Sequence, residues 1–204
     1  TKVKEIDFFN SDIRYSQGIR FYHSSFPIKT PANIGKLTFD ITPGYMGGAE
    51  RAARRIHDYN PKIRLIALLR NPSTRAHSAW QMYRRYCAKN RDWFWKWVQA
   101  RGNYSQPKDL FVRRSSRFGT SFQEDICEEI EVIRSDQIIE MPILLLGIYE
   151  RFLKHYFHYF ERDQILIISS EDFRQDTERQ MQQIEEFIGL KPHSWSQDTL
   201  KPRF

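Results

Sequence analysis

A nearly continuous apolar run, Ile63–Leu69, leads into Arg70-Asn71-Pro72 and constrains the fold more than any other segment. Uninterrupted apolar residues over this length are typical of a parallel strand that is buried on both faces. Asn71 suits the cap of a helix and Pro72 suits its first position, which predicts a helix from about Pro72 to Cys87. The segment therefore predicts a strand, a tight turn and a helix.

The rest of the chain alternates short apolar runs with amphipathic stretches. This pattern predicts an α/β domain with a central, mainly parallel β-sheet flanked by helices. A length of 204 residues fits a single domain, residues 1–204. Further strands are predicted at Leu37–Thr42 and Gln164–Ile168, and helices at Ala49–Tyr59, Phe122–Ile133, Ile143–Phe160 and Thr177–Ile188.

The net charge of +7 is concentrated between Arg84 and Arg117, a stretch with ten Lys or Arg residues and only two acidic residues. A basic balance favours anionic partners such as nucleotides or acidic glycans. Gly and Pro interrupt Trp93–Gly119, which predicts irregular structure. The alternating Trp residues at 93, 95 and 97 leave two interpretations open, an aromatic wall along a groove and an insertion packed on the core.

The junction of strand and helix at Arg70 has the chemistry of an anion site. Free N–H groups and the helix dipole favour negative charge there. An Arg fork and the hydroxyl of Ser78, about two turns into the helix, suit a phosphomonoester with its three acceptor oxygens. The alternative is that Arg70 pairs with a carboxylate and Ser78 only packs, and spacing alone leaves both open.

The stretch Leu68–Trp80 resembles the 3′-phosphate-binding segment of sulfotransferases that use 3′-phosphoadenosine 5′-phosphosulfate (PAPS). The nearest branch is the glycosaminoglycan sulfotransferases with their bacterial relatives. Lys4–Phe9 is similar to the Glu-x-His-Phe-Phe segment of that family, and Thr42-Pro43-Gly44-Tyr45 resembles its Thr-Pro-x-Tyr turn. The late strand and helix, Ile165–Phe173 and Phe187–Leu190, also match in order.

The resemblance implies the P-loop-like sulfotransferase fold and sulfuryl transfer from PAPS without a metal ion. Arg70 and Ser78 match the pair that binds the 3′-phosphate, and Glu5 matches the base that deprotonates the acceptor hydroxyl. The oxygen attacks sulfur in line, and adenosine 3′,5′-bisphosphate leaves. The acceptor implied is a glycan, with Asp7 and Asp40 on the acceptor side.

The sequence departs from the family at three places. It lacks the Lys-x-Gly-Thr-like loop that holds the 5′-phosphosulfate, so we expect this segment to be inactive without the loop, which we expect to be truncated or disordered. Asp7 replaces a His of many relatives. Ile41 replaces a Lys, while Asp40 keeps acidic character beside it. The last two changes concern the acceptor more than the donor.

Other readings remain as alternatives. The acceptor could be a small natural product or a carrier-tethered hydroxyacyl chain. A P-loop kinase would need a G-x-x-x-x-G-K-[ST] motif, which the sequence lacks. A basic nucleic-acid-binding or degenerate interaction domain is the non-enzyme alternative, but no DNA- or RNA-binding signature is present. We predict no metal site, no nucleic-acid partner and no membrane span. The two cysteines and the short acceptor segment favour a cytoplasmic bacterial enzyme, and the alternative is an animal enzyme of the Golgi lumen with an N-terminal anchor.

Overall fold

The computed structural model describes residues 5–89 and 111–196, so the Trp-bearing stretch at 93–97 lies outside the described residues. The helices are α1 (Asp12–Tyr15), α2 (Gly18–Ser24), α3 (Gly44–Gly47), α4 (Ala49–Tyr59), α5 (Pro72–Lys89), α6 (Phe122–Arg134), α7 (Tyr149–Tyr159), α8 (Ser170–Gln175) and α9 (Thr177–Ile188). The strands are β1 (Leu65–Leu69), β2 (Phe111–Val112), β3 (Ile138–Ile139) and β4 (Ile165–Ser169), and 3-10 turns span Pro31–Asn33, Leu145–Gly147 and Arg162–Gln164.

The strands pair in parallel, which confirms the predicted α/β class. β1 lies beside β4, with Leu65 opposite Ile165 and Leu69 opposite Ser169. β2 lies beside β3 in the same sense. β1 differs from the prediction in one respect, because Ile66 and Leu68 on one face are 38% and 58% exposed. The described residues therefore cover only one face of this strand.

The main core lies between the sheet, α4 and the aromatic segment that follows Glu5. Ala52 and Ala53 are fully buried and bring α4 close to α7, where Phe152 and Tyr156 are also buried. Phe8 and Phe9 complete this core, with their ring centroids 5.0 Å apart in an edge-to-face arrangement. A second cluster packs α5 against the chain around Met141 and Ile143. The N-terminal segment is thus anchored by its aromatic residues.

The helix boundaries that carry local signals were correctly predicted. α4 ends at Tyr59, followed by Asn60 and Pro61 as expected. The side chain of Asp176 caps α9, which ends at Ile188 and is followed by Gly189 with a φ of 76°. Glycine adopts this left-handed conformation without a steric cost, so it suits the end of a helix.

The predicted strand at Leu37–Thr42 is wrong. The segment has no regular secondary structure and pairs with no strand in the described part of the chain. Leu37, Phe39 and Ile41 alternate as in a strand, yet they are 49%, 51% and 73% exposed. A strand forms only where the backbone can pair with the edge of a neighbouring strand. The contact that the end of this segment makes is through a side chain, because the Thr42 hydroxyl accepts hydrogen bonds from the backbone that follows Glu5.

The predicted helix at Ile143–Phe160 begins only at Tyr149. The backbone N–H groups of Ile143, Leu144 and Leu145 donate to the buried carboxylate of Glu129. A 3-10 turn then leads into the helix. The apolar pattern of this region therefore reflects a buried connection followed by a shorter helix.

No helix within residues 5–89 and 111–196 combines the length and apolar character needed to cross a bilayer. The same residues contain no group of three His, Cys, Asp or Glu side chains arranged to hold a metal ion.

Candidate active site

Arg70 immediately follows β1, at the carboxyl end of the β1–β4 pair. Its backbone is held by the hydroxyl of Tyr149, the first residue of α7. That hydroxyl donates to the Arg70 carbonyl oxygen at 2.8 Å and accepts from the Arg70 N–H at 3.3 Å. The N-terminus of α7 therefore fixes the turn between β1 and α5.

The Arg70 side chain lies in an open cleft of about 380 Å³. Its Nε donates to the Thr74 hydroxyl at 3.1 Å, which aligns the guanidinium along the first turn of α5. The N-terminus of α5 is capped by Asn71, whose Oδ1 accepts from the N–H of Ser73 at 3.0 Å. The cleft is lined by Leu69, Arg70, Asn71, Ser169 and Glu171.

Glu171 joins the two sides of this cleft. Both of its carboxylate oxygens accept from the Asn71 N–H, at 3.1 and 3.3 Å. The hydroxyls of Ser169 and Ser170 donate to the same carboxylate at 3.1 and 3.3 Å. The Asn71 N–H is the main cause that lowers the pKa of Glu171. The cleft therefore holds a cation and an anion, and it lies outside the carboxyl ends of parallel strands, where open α/β sheets bind ligands.

Ser78 is exposed on α5 and does not belong to the five residues that line the cleft. Arg75, one turn before it, donates through Nη2 to the carbonyl oxygen of Ile143. Burial is the largest cause that lowers the pKa of Arg75. Arg70 is thus the cation that the β1–α5 turn presents to the cleft.

Glu5 is half-buried, and the peptide that follows it is held on both edges. The N–H groups of Ile6 and Asp7 donate to the Thr42 hydroxyl at 3.2 and 3.4 Å. From the other edge, Arg14 Nη1 donates to the carbonyl oxygen of Glu5 at 3.3 Å and to that of Ile6.

Asp40 contacts Thr42, and both of its carboxylate oxygens accept hydrogen bonds. Oδ1 accepts from the Thr42 hydroxyl at 2.7 Å, and Oδ2 accepts from the Tyr45 hydroxyl at 2.5 Å. Burial raises the pKa of Tyr45 and of Tyr22, and the charge of Asp40 raises them further. Both phenols therefore stay protonated and can donate to Asp40.

Asp7 is completely buried and has a φ of 49° in the left-handed region. Its Oδ1 accepts from Asn10 Nδ2 at 3.1 Å. A Cβ added to Gly44 would lie 2.8 Å from both of these atoms. Asp7 is thus an interior residue. The structure brings Glu5, Asp7 and Asp40 together around Thr42.

A family model described as the sulfotransferase domain matches residues 1–201. The chain belongs to the sulfotransferase domain family. It is similar to the mouse bifunctional heparan sulfate N-deacetylase/N-sulfotransferase 4, with 28% identity over 191 residues, 93% of this chain and 18% of the relative. It is also similar to the human heparan sulfate glucosamine 3-O-sulfotransferase 5, with 25% identity over 160 residues, 74% of this chain and 44% of the relative. The chain thus spans less than a fifth of the first relative and less than half of the second.

A crystal structure of a sulfotransferase from Alicyclobacillus acidocaldarius shares the fold of this sulfotransferase domain. The TM-score is 0.52 at 19% sequence identity, over 95% of this chain and 74% of the other. The family and the fold that the motifs predicted are therefore confirmed.

Sequence reasoning missed three residues that build the site. Thr42 was noted only as part of a turn motif, without its contact to the Glu5 segment. Tyr149 lies 79 residues from Arg70 and Glu171 lies 100 residues from Asn71. No local spacing signals such contacts, although the Ser-Ser-Glu sequence at the end of a predicted strand marks the position of Glu171.

Proposed function

We propose that this sulfotransferase domain transfers a sulfuryl group from PAPS to a glycan hydroxyl, with Glu5 as the general base. The observation that carries the proposal is the placement of Arg70. Its guanidinium lines an open cleft at the carboxyl end of β1 and at the start of α5, an 18-residue helix. The guanidinium and the positive end of the helix dipole suit a phosphate group, while the N–H groups of Ser73 and Thr74 are already bound by the Asn71 side chain.

The donor side follows from that placement. The 3′-phosphate of PAPS would lie against the Arg70 guanidinium, and Ser78 would add a hydroxyl donor from the exposed side of α5. The carboxylate of Glu171 lies in the same cleft but is engaged by the Asn71 N–H. Arg70 and Glu171 together therefore favour a ligand that offers both anionic oxygens and hydroxyl donors, as a ribose 3′-phosphate does.

The reaction is a single displacement at sulfur. Glu5 removes the proton of the acceptor hydroxyl, and the resulting oxygen nucleophile attacks sulfur. The bond from sulfur to the bridging oxygen of the 5′-phosphate breaks, and adenosine 3′,5′-bisphosphate leaves with that electron pair. A positioned carboxylate contributes roughly 10²–10⁴-fold to such a proton transfer.

A glycan acceptor is supported by the two relatives, whose names give heparan sulfate as what they act on. The net charge of +7 also suits an acidic glycan. Asp7 and Asp40 are proposed on the acceptor side because they surround the Glu5 segment. Asp7 would act through Asn10, since its own side chain is completely buried.

The test is Glu5→Gln in the full-length protein, assayed for sulfate transfer from PAPS to chemically desulfated heparan sulfate. We expect turnover to fall by roughly 10²-fold or more, with bisphosphate affinity nearly unchanged, because Gln keeps the shape but not the basicity. Glu178→Gln, on an exposed position of α9, is the matched control. Normal turnover in Glu5→Gln would remove Glu5 from the mechanism.

A further inference from the structure

The Thr42 hydroxyl is the junction between the Glu5 segment and Asp40. It is 7% exposed, so the protein rather than water supplies its partners. It accepts from the N–H groups of Ile6 and Asp7 and donates to Asp40 Oδ1 at 2.7 Å. A hydroxyl has one donor and two acceptor lone pairs. This geometry uses all three.

Asp40 decides how that hydroxyl is oriented. The two N–H donors need the lone pairs of the Thr42 oxygen, so its single proton must point elsewhere. The carboxylate of Asp40 receives it in a charge-assisted hydrogen bond, the stronger kind. The second carboxylate oxygen is held by the Tyr45 hydroxyl at 2.5 Å, so the carboxylate itself cannot turn freely.

The peptide between Glu5 and Ile6 is consequently fixed on both edges. Thr42 binds its N–H, and Arg14 Nη1 binds its carbonyl oxygen at 3.3 Å. Because a peptide is planar, holding both edges fixes the plane and the Cα atom of Glu5. The direction of the Glu5 side chain depends on that Cα atom.

We propose that Asp40, acting through Thr42, is a positioning residue that aims the Glu5 carboxylate at the acceptor hydroxyl. This inference rests on the proposed role of Glu5 as the base. It assigns Asp40 to the orientation of the base, in place of direct contact with the acceptor. Displacing a reacting group by about 1 Å can cost 10²-fold in rate, so the network would act on kcat.

The variants are Thr42→Val, Thr42→Ser and Asp40→Asn in the full-length protein. Valine keeps the shape of threonine and lacks the hydroxyl, whereas serine keeps the hydroxyl. Asparagine keeps the shape of Asp40 and removes the charge that orients the Thr42 proton. Thr120→Val is the matched control, because Thr120 is exposed and its hydroxyl donates to the nearby Arg117 carbonyl oxygen at 2.7 Å.

Two readouts are needed, steady-state kinetics and amide hydrogen exchange at residues 6 and 7. For Thr42→Val we expect kcat to fall roughly 10- to 100-fold with the KM for PAPS within about twofold of normal. The amides of Ile6 and Asp7 should exchange at least about tenfold faster, since they lose their acceptor. Thr42→Ser should restore both values, and Asp40→Asn should fall between the two.

Unchanged exchange at residues 6 and 7 in Thr42→Val would overturn the proposal. It would also be overturned if Asp40→Asn raised the KM for the acceptor while leaving kcat and exchange unchanged, because Asp40 would then contact the acceptor. If Thr42→Val fails to fold, Asp40→Asn and Thr42→Ser decide the matter. Both changes are conservative, and Asp40 is only half-buried. Exchange does not depend on turnover, so a failure of Glu5 as the base is seen separately, in Glu5→Gln.

Discussion

Glu129 on α6 is completely buried and makes four hydrogen bonds through its carboxylate. Oε2 accepts from Arg114 Nη2 at 2.5 Å and from the Ile143 N–H at 2.7 Å. Oε1 accepts from the N–H groups of Leu144 and Leu145 at 2.8 and 2.9 Å. Substitution of Glu129 should therefore destabilise the domain more than that of any exposed acid.

The magnitude follows from what Glu129→Ala leaves behind. Arg114, whose side chain is fully buried, loses the carboxylate at 2.5 Å, and the carboxylate of Glu128 lies farther away, at 3.6 Å. Three backbone N–H groups, two of them buried, also lose their acceptor. Removing one partner of a buried ion pair costs about 3–5 kcal/mol. For a chain of this size, each kcal/mol corresponds to roughly 2–4 °C, so the Tm should fall by about 6–20 °C.

Urea unfolding followed by tryptophan fluorescence measures this loss. Glu129→Gln should cost less than Glu129→Ala, because it keeps the volume and an acceptor oxygen. Glu131→Ala is the control on the same helix, since Glu131 is 71% exposed in its pair with Arg134 and should cost under about 1 kcal/mol. Equal losses in Glu129→Ala and Glu131→Ala would refute the reasoning about the buried carboxylate.

Two further predictions concern the site. Gly44→Ala should lower the free energy of unfolding in urea by about 1–3 kcal/mol, because its Cβ would lie 2.8 Å from buried Asn10. Gly47→Ala is the control, since a Cβ there would meet the flexible end of Leu146 at 3.3 Å. A larger loss of stability in Gly47→Ala would contradict this. The pKa of Glu171 lies below its ordinary value of 4.5, so its stabilising contribution is present above pH 4.5 and is lost as pH falls through the lowered value. Glu171→Gln should remove that part of the acid sensitivity, and parallel stability curves for the two proteins from neutral pH to about pH 3 would contradict it.

The sequence predicts those elements whose signals are local. Asn71 with Pro72 marked the start of α5, and Gly189 marked the end of α9, because each residue favours its position through its own backbone chemistry. Leu37–Thr42 has the alternation of a strand but lacks a neighbouring edge, and alternation alone contains no information about that edge.

The same distinction between local signals and long-range packing applies to the site. The position of Arg70 was evident from the strand-to-helix junction and from the resemblance to the family. The contact of its backbone with Tyr149 depends on how α7 packs, 79 residues away in sequence. The burial of Asp7 likewise depends on the close approach of Gly44, which no spacing within Lys4–Phe9 reveals.

The most direct test of the account is binding of adenosine 3′,5′-bisphosphate to the wild type and to Arg70→Ala, measured by thermal unfolding in EDTA. Ligand at 100 times its dissociation constant should stabilise the wild type by about 2.7 kcal/mol. Adenosine 5′-monophosphate, which lacks the 3′-phosphate, should give no comparable shift. Arg70→Ala should fold normally and lose about 2–5 kcal/mol of binding free energy. Undiminished bisphosphate binding by folded Arg70→Ala would contradict the assignment of the cleft as the 3′-phosphate site.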